Sequence, residues 1–425
     1  MENEQTPKGI KRTRGLYLAE ACLEYLISIL VAGTYLARIT SDLGFSDSLT
    51  GIISSFISLG SLFQLLSLLF RRKTVKKFVV GLSIANQLLF MFLYVVPLIS
   101  LPKNVKTAVF VVTLLLAYLL YYIAHPKKIN WFMSAVNNKT RGRFTAVKEM
   151  ISLAVGSVFT ILMGRMVDTY SERDDLRGAF LICGIVIFVL MLLHTFSMIF
   201  SVEPEAPVKT ARQGFAKDML ALFKDKSVLR ITGLFVLWYI ASHTTSSFYG
   251  SYEIHELGFS QELAGWLATL GSICRIAASF FWGWYADKKS FAKMLLWCFL
   301  CAVIAYTSAM LATPATGLPC FALYFVFHSV AMGGINSALT NLVFDYVPHE
   351  KRADSLAFSQ ALAGVAGFLA TLVMSPLVAY IQSNNNTFFG VSVYAQQVTS
   401  LVAVLMTLAC AAYVTFVIIR KEKKN

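Results

Sequence analysis

Residues 43–51 read LGFSDSLTG and residues 257–265 read LGFSQELAG, so one motif occurs twice with six of nine positions identical. The two copies are 214 residues apart, and each lies between two long apolar segments. A motif repeated at this separation predicts a chain built from two similar halves of about 200 residues. In each half, the motif itself predicts a tight turn followed by the start of a helix.

The composition predicts a membrane protein. Of the 425 residues, 57% are hydrophobic and 14% are charged, and the mean hydropathy is +0.65, well outside the range of soluble globular domains. About 20 consecutive apolar residues span the hydrocarbon core of a bilayer as a helix. Twelve segments meet this condition: 16–38, 48–70, 77–100, 105–136, 143–167, 178–201, 229–252, 261–285, 291–313, 318–346, 352–381 and 394–419.

The basic residues predict the orientation of these spans. The net charge is +14, and with a cytoplasmic N-terminus the basic residues concentrate on one side of the membrane. They occupy the segments 8–14, 71–77, 139–143, 209–230, 288–293, 351–352 and 420–424. This asymmetry predicts a multi-pass protein of the cell membrane with both termini in the cytoplasm, and it argues against nucleic acid as a partner.

A second repeat supports the division into halves. At a separation of 211 residues, five positions around the fourth and fifth spans match positions around the tenth and eleventh: Asn130, Val136, Arg141, Ala146 and Gly156 against Asn341, Val347, Arg352, Ala357 and Gly367. Because each half has six spans, the halves are parallel repeats. We therefore expect an all-α membrane protein of twelve transmembrane helices, with a six-helix bundle at 1–201, a polar cytoplasmic linker at 202–228 and a second six-helix bundle at 229–425.

The loop after the eighth span carries the most specific motif. The sequence Gly283-Trp284-Tyr285-Ala286-Asp287-Lys288-Lys289-Ser290-Phe291-Ala292-Lys293 resembles G-x-x-x-D-[RK]-x-G-[RK]-[RK] of the major facilitator superfamily of secondary transporters, with Ser290 at the second glycine. The segments 139–143 and 347–353 resemble two other connections of that family, whereas the loop 70–77 lacks both the Gly and the Asp. The resemblance implies a clamp at the cytoplasmic helix ends, formed by Gly283, Asp287, Lys288, Lys293, Arg141 and Arg352.

Ionisable residues inside the spans are the candidate substrate and proton pathway. A charge at membrane depth costs at least ~2.5 kcal/mol, so such residues usually face a partner or a water-filled cavity. The resemblance implies that spans one, four, seven and ten line a central cavity, flanked by spans two, five, eight and eleven. The candidates on these helices are Glu24, Lys127, Lys128, Glu149, His243, Arg275 and His328.

Depth along the helices predicts one ion pair. At 1.5 Å per residue, Lys128 and Glu149 both lie about 12 Å from the cytoplasmic ends of their spans, so Lys127 or Lys128 is expected to pair with Glu149. This pair could serve transport or only hold two helices together. Pro126 is expected to break the fourth span next to His125.

The remaining ionisable residues divide by depth. Arg275 keeps its charge, so it needs a carboxylate from another helix or an anionic substrate. Glu24 is deep enough to carry a proton, whereas Glu20 is expected at the interface. The sixth span, with His194, is expected on the outside of its bundle.

These observations predict a transporter rather than an enzyme. No Walker A motif and no cluster of metal ligands occurs, so we expect neither a cofactor nor a bound metal. The expected function is secondary active transport of a small polar solute, a saccharide or an organic anion, by alternating access and coupled to protons, in a lipid-embedded monomer. The alternatives are efflux of amphipathic compounds and a membrane sensor or lipid-handling protein with the same fold. The resemblance implies a G-P-x-x-G-G-like pattern in the fifth span of drug/proton antiporters, and the absence of proline from this span weakens the efflux alternative.

Overall fold

The computed structural model describes residues 7–69, 75–136, 141–203, 221–348 and 351–419. The described residues are almost entirely helical. In the first half the α-helices are α1 (Pro7–Leu30), α2 (Gly33–Asp42), α3 (Asp47–Ser54), α4 (Phe56–Phe63), α5 (Lys76–Val95), α6 (Lys103–Ser134), α7 (Arg141–Glu172) and α8 (Leu176–Ile199). In the second they are α9 (Lys226–His243), α10 (Ser246–His255), α11 (Gln261–Lys288), α12 (Phe291–Met310), α13 (Gly317–Tyr346), α14 (Arg352–Ser383) and α15 (Ala395–Tyr413).

Short elements complete the described chain. Two 3-10 helices follow α4 and α5 (Gln64–Leu69 and Val96–Leu98), and a π-helical turn, Val414–Ile419, follows α15. Strands β1 (Thr387–Phe388) and β2 (Val391–Ser392) form an antiparallel hairpin between α14 and α15, with Thr387 opposite Ser392.

The helices confirm the expected multi-pass membrane fold. Eleven segments of the described chain are long and apolar enough to cross a bilayer, and they correspond to all the predicted spans except the seventh. The seventh consists of α9 and α10, which are separated at Thr244 and Thr245. Large apolar side chains of α8, such as Leu193 and Phe196, are exposed, as expected for helix faces in contact with lipid.

The first and seventh spans are interrupted at equivalent places. In the first span, α1 ends at Leu30 and α2 begins at Gly33. Gly33 has a φ of +53°, a backbone conformation that glycine adopts more readily than other residues. Helices α2 and α10 are each 10 residues long, and their first residues are 213 positions apart. The repeat detected in the sequence therefore includes the position of a helix interruption.

The LGFS motif forms the predicted turn in both halves. Gly44 has φ +70° and Gly258 has φ +66°, so both glycines adopt the left-handed conformation that other residues rarely adopt. Helix α3 begins three residues after Gly44, and α11 begins three residues after Gly258. The prediction of a turn and a helix start is confirmed at both positions.

The chain forms two compact units. Unit 1 contains Met1–Phe45, Phe63–Ala211 and Ser260–Glu262, and unit 2 contains Ser46–Leu62, Arg212–Phe259 and Leu263–Asn425. Most of the second span, up to Leu62, thus belongs to unit 2, whereas its end belongs to unit 1. The division at 202–228 stays a prediction, and residues 204–220 of this linker lie outside the described residues.

Each unit has its own packing core. In unit 1, α1 packs on α7 and α8, and α5 packs on α6 and α8. In unit 2, α12 packs on α13 and α15, α9 packs on α14, and α3 packs on α10 and α14. The core of unit 2 includes Trp238, Phe299 and Phe321, all nearly inaccessible.

The prediction that Pro126 breaks the fourth span is wrong. Helix α6 continues from Lys103 to Ser134 with Pro126 inside it. A proline removes one backbone hydrogen bond, and membrane helices tolerate this loss where neighbouring helices enclose the site.

Candidate functional site

A buried cluster of charges lies among α1, α6 and α8 in unit 1. The Lys128 ammonium lies 2.8 Å from Glu20 Oε1 and also contacts Glu24 Oε2. Glu20 and Lys128 are 1% and 4% exposed, so both charges are removed from solvent. The two carboxylates reach one ammonium because they are four residues apart on one face of α1.

The position of Glu20 corrects the expectation that it lies at the interface. Helix α1 begins at Pro7, well before the apolar segment, so Glu20 lies on the fourth turn of the helix and not near its start. Neighbouring helices α6 and α8 then cover it. The first span, and not the fifth, supplies the partners of Lys128.

His194 completes the cluster from the face of the sixth span that packs on α1; the opposite face of α8 carries exposed apolar side chains. Its Nε2 lies 3.0 Å from Glu20 Oε1, and its Nδ1 lies 3.1 Å from the amide nitrogen of Gln87. Since the Gln87 amide donates to Nδ1, the proton of a neutral imidazole is on Nε2 and is donated to Glu20. Helix α8 packs directly on α1, which buries His194 completely.

The charges of this cluster do not balance. With His194 neutral, Glu20 and Glu24 together carry two negative charges against the single charge of Lys128. One bound proton therefore makes the cluster neutral, which a low-dielectric site favours. The side chain of Glu24 is 20% exposed whereas that of Glu20 is 1% exposed, so Glu24 is the carboxylate that an external proton can reach.

Three residues of this cluster are also arranged as metal ligands could be, within the part of the chain that the structure describes. One ligand atom each from Glu20, Glu24 and His194 lie within 4.8 Å of one another. The Lys128 ammonium contacts both carboxylates and so supplies the positive charge that a metal ion would otherwise provide.

Two further predicted residues, Lys127 and Glu149, are not among the contacts of the cluster that the structure describes. Lys127 is half-buried on α6, and Glu149 is exposed on α7. The predicted pair of Lys128 with Glu149 is replaced by the contacts with Glu20 and Glu24. A pairing of Lys127 with Glu149 stays a prediction.

In unit 2, His243 is held on both ring nitrogens. Its Nδ1 lies 3.0 Å from the Tyr239 carbonyl, and its Nε2 contacts the Ser58 hydroxyl. A carbonyl only accepts, so Nδ1 carries the proton and Nε2 accepts from Ser58. His243 ends α9 at the helix interruption and links it to α4 of the second span.

His328 lies in an aromatic column of unit 2. Its ring stacks on Tyr324 at 5.0 Å and lies 5.9 Å from Tyr306. His328 Nε2 is buried without a hydrogen-bond partner in the described part of the chain. Arg275 of α11 is half-buried and interacts electrostatically with His328, so these two predicted residues are neighbours.

Glu253 is an acidic residue that the sequence analysis missed. It lies on α10 and is 4% exposed. The spacing of four residues from Tyr249 was the available signal, because it places both side chains on one helix face. The predicted span ended one residue earlier, so Glu253 counted as part of a loop.

Helix starts at the two LGFS motifs are held by side chains from other spans. Asp168 of α7 accepts hydrogen bonds from the backbone nitrogens of Gln261 (2.9 Å) and Glu262 (2.7 Å) at the start of α11. Asp47 at the start of α3 accepts from Gln382 Nε2 of α14 at 2.7 Å and lies 2.6 Å from His255 Nδ1. Asp47 and Gln261 are equivalent repeat positions, 214 residues apart.

The implied clamp residues are only partly engaged. Asp287 is exposed and has no ion pair or hydrogen bond among the residues that the structure describes, and Gly283 faces open space. Lys288 lies over the Trp284 ring at 4.2 Å, and Lys293 is exposed. Arg352 Nε donates to the Val347 carbonyl within its own loop. The side chain of Arg141 and the residues 70–74 lie outside the described residues, and the clamp stays a prediction.

One surface ion pair joins the start of the seventh span to the connection before α14. Lys351 Nζ donates to Asp225 Oδ2 at 2.8 Å, and Asp225 Oδ1 accepts from the Ser227 backbone nitrogen. The hydrogen bond from Lys351 lowers the pKa of the Asp225 carboxyl below its usual value.

We expect this pair to make a small, pH-dependent contribution to stability. Because the folded-state pKa is lowered, the contribution is present above the unfolded pKa and is lost as the pH falls through the folded value. The Lys351 side chain is 45% exposed, so Lys351→Met should cost less than about 1 kcal/mol at neutral pH and nothing in acid. Thermal unfolding of both proteins across this pH range measures the difference, and an equal loss at every pH contradicts the prediction.

Comparisons with known proteins identify the family. The sequence model of the Major Facilitator Superfamily matches residues 16–371 and 239–425. A search of curated proteins gives no match.

Solved structures with a similar fold are transporters. The nucleoside transporter NupG has a TM-score of 0.66 at 15% identity, covering 96% of this chain and 98% of that chain. The D-xylose-proton symporter has a TM-score of 0.65 at 13% identity, covering 95% and 97%. A variant of the E. coli fucose:proton symporter FucP has a TM-score of 0.59 at 13% identity, covering 96% and 98%. At these identities the similarity shows the fold alone.

Proposed function

This chain belongs to the Major Facilitator Superfamily, and on that premise we propose that it is a secondary active transporter that moves a small polar solute together with protons by alternating access. The observation that carries the proposal is the buried cluster of Glu20, Glu24, Lys128 and His194. Ionisable groups inside a membrane are costly, and they persist where they bind protons or ions during transport.

The paired helix interruptions support a transport site in each half. Substrate and ion sites of secondary transporters are commonly formed where a transmembrane helix is broken. Here the breaks after Leu30 and His243 occupy equivalent repeat positions. Both halves also present aromatic and polar groups near these breaks, which suit a saccharide or an organic anion better than an amphipathic drug.

The proposed setting follows from the charge distribution. The protein is a multi-pass membrane protein, and we place it in the cell membrane as a lipid-embedded monomer with both termini in the cytoplasm. In this orientation the LGFS turns are extracellular. The expected ligands are the solute and protons, without a cofactor.

The solute can be identified by stabilisation of the purified protein. A ligand that binds only the folded state raises the melting temperature by mass action. Sugars, organic acids and nucleosides are the compounds to screen. The best ligand is then tested for uptake into liposomes under an imposed pH gradient; extrusion of dyes without uptake of any polar solute would favour the efflux alternative.

Glu24→Gln is expected to abolish uptake driven by a pH gradient and to preserve counterflow of the solute. Glutamine retains an oxygen that can accept from Lys128 but binds no proton, so exchange continues while proton coupling is lost. Both activities are measured with labelled solute in the same liposomes. Glu172→Gln, at the exposed end of α7, is the matched control and should leave both unchanged. Gradient-driven uptake at the normal rate would reject Glu24 as the proton carrier.

A further inference from the structure

Glu253 is a buried carboxyl group without a counter-charge. It lies on α10, the helix that follows the interruption of the seventh span, and it is 4% exposed. Within the described residues its carboxyl group has no hydrogen-bond or ion-pair partner. It therefore differs from Glu20, which is equally buried but contacts Lys128 and His194.

The surroundings of Glu253 are aromatic. Electrostatic interactions link it to Tyr249 on its own helix and to Tyr324 on α13. The Tyr324 ring stacks on His328, which presents the unpartnered Nε2 described above, and lies 6.3 Å from the Tyr306 ring. Glu253 thus lies beside a cluster of aromatic side chains within unit 2.

The charged groups on neighbouring helices have other partners. Helix α3 contributes Asp47, which is bound to His255 and Gln382. Helix α9 contributes His243, which is bound to Ser58 and Tyr239, and its Lys226 and Arg230 lie in its first turns, at the end far from α10. Helix α15 carries no acidic or basic side chain. No neighbouring cation among the described residues therefore stabilises a Glu253 carboxylate.

We propose that Glu253 is a proton-binding site of the transport cycle, in addition to Glu24 in the first half. A buried carboxylate without a partner is far less stable than the neutral acid, so the state seen here holds the proton. The step is a proton transfer alone: the carboxylate binds one proton and later releases it, and no other bond changes. The inference rests on the proton-coupled transport proposed above and assigns one of its sites.

Chemical labelling tests the protonation independently of transport. Dicyclohexylcarbodiimide reacts with protonated carboxyl groups in apolar surroundings, and the product is located by peptide mass spectrometry of the full-length purified protein. We expect modification of Glu253 that falls ~tenfold for each pH unit above its midpoint. The exposed Glu172 serves as the internal control and should remain unmodified, and Glu253→Gln should lose the labelled peptide. Absence of labelling at Glu253 in acid, or labelling that does not change with pH, overturns the proposal.

Transport by the variants separates the two proposals. Glu253→Gln mimics the neutral acid, so it should fold with an unchanged melting temperature and retain counterflow while losing gradient-driven accumulation. Glu253→Asp should restore accumulation. Normal accumulation by Glu253→Gln rejects Glu253 as a coupling site but leaves proton-coupled transport intact. If the wild-type protein moves no solute under a pH gradient, the proposed function fails, whatever the labelling shows.

Discussion

Replacing Lys128 by methionine is expected to lower the free energy of unfolding by about 3–5 kcal/mol and to abolish transport, because Glu20 and Glu24 then lose their shared cation. Methionine fills a similar volume, so the loss reports charge rather than packing. The side chain of Glu20 is 1% exposed, and water does not replace the missing partner. Thermal or denaturant unfolding of the detergent-solubilised protein measures the loss.

Two companion variants make the result specific to the cluster. Lys127→Met changes the adjacent, half-buried lysine and should cost less than about 1 kcal/mol. Glu20→Gln combined with Lys128→Met should recover much of the stability, because the fully buried carboxylate is then absent and the remaining one, Glu24, is 20% exposed and can bind a proton. Wild-type stability of Lys128→Met would show that the cluster is not buried as described.

The second large effect is expected for Gly164→Val on α7. A Cβ at Gly164 would lie 2.7 Å from the Gln261 carbonyl oxygen and 2.9 Å from the Glu262 nitrogen, and both are backbone atoms. Since backbone at a helix start cannot move aside locally, the start of α11 must shift away from α7. The shift also breaks the two hydrogen bonds that Asp168, one turn further along α7, accepts from the Gln261 and Glu262 backbone nitrogens.

Overpacking and loss of the helix cap together should cost about 2–4 kcal/mol, measured by unfolding. Asp168→Asn tests the cap by itself and should cost roughly 1 kcal/mol, because one acceptor oxygen remains. Gly81→Val is the matched control, since Gly81 is a helical glycine with no atom within 4 Å of an added Cβ. Equal stability of the Gly81 and Gly164 variants would contradict the close approach of α7 and α11.

Under the proposed function, the two helix starts are expected to take part in alternating access. Asp168 holds the start of α11, and Gln382 holds Asp47 at the start of α3. In both cases the contact joins a span of one sequence half to a helix start of the other. Loss of these contacts should therefore alter the transport rate as well as stability, which gives Asp168→Asn a second readout in the uptake assay.

Several features of the fold follow from local sequence. The composition and the twelve apolar segments are sufficient for a multi-pass helical protein, because a bilayer leaves backbone groups no partner but their own helix. The LGFS motif predicts its turn because glycine is the residue that readily adopts a positive φ. Glu24 and Lys128 were accessible to prediction since an ionisable residue inside an apolar span is rare in itself.

The partners of these charges depend on packing between helices distant in sequence. The sequence predicts a pair of Lys127 or Lys128 with Glu149 because depth along a helix can be counted, whereas the rotation of each helix about its axis cannot. The same limit conceals the burial of His194, whose helix packs on α1, and of Glu253, whose helix packs on α3, α9 and α15.

The sequence by itself determined a two-fold repeated membrane chain, the number of its spans and the positions of its turns, because these depend on hydrophobicity and backbone preferences over short distances. Tertiary structure alone decided which carboxylates form ion pairs with Lys128, which histidine is buried beside them and which glutamate is left without a partner. The physical reason is that electrostatic interactions in a low-dielectric interior depend on separations of a few ångströms between residues that lie 100 or more positions apart.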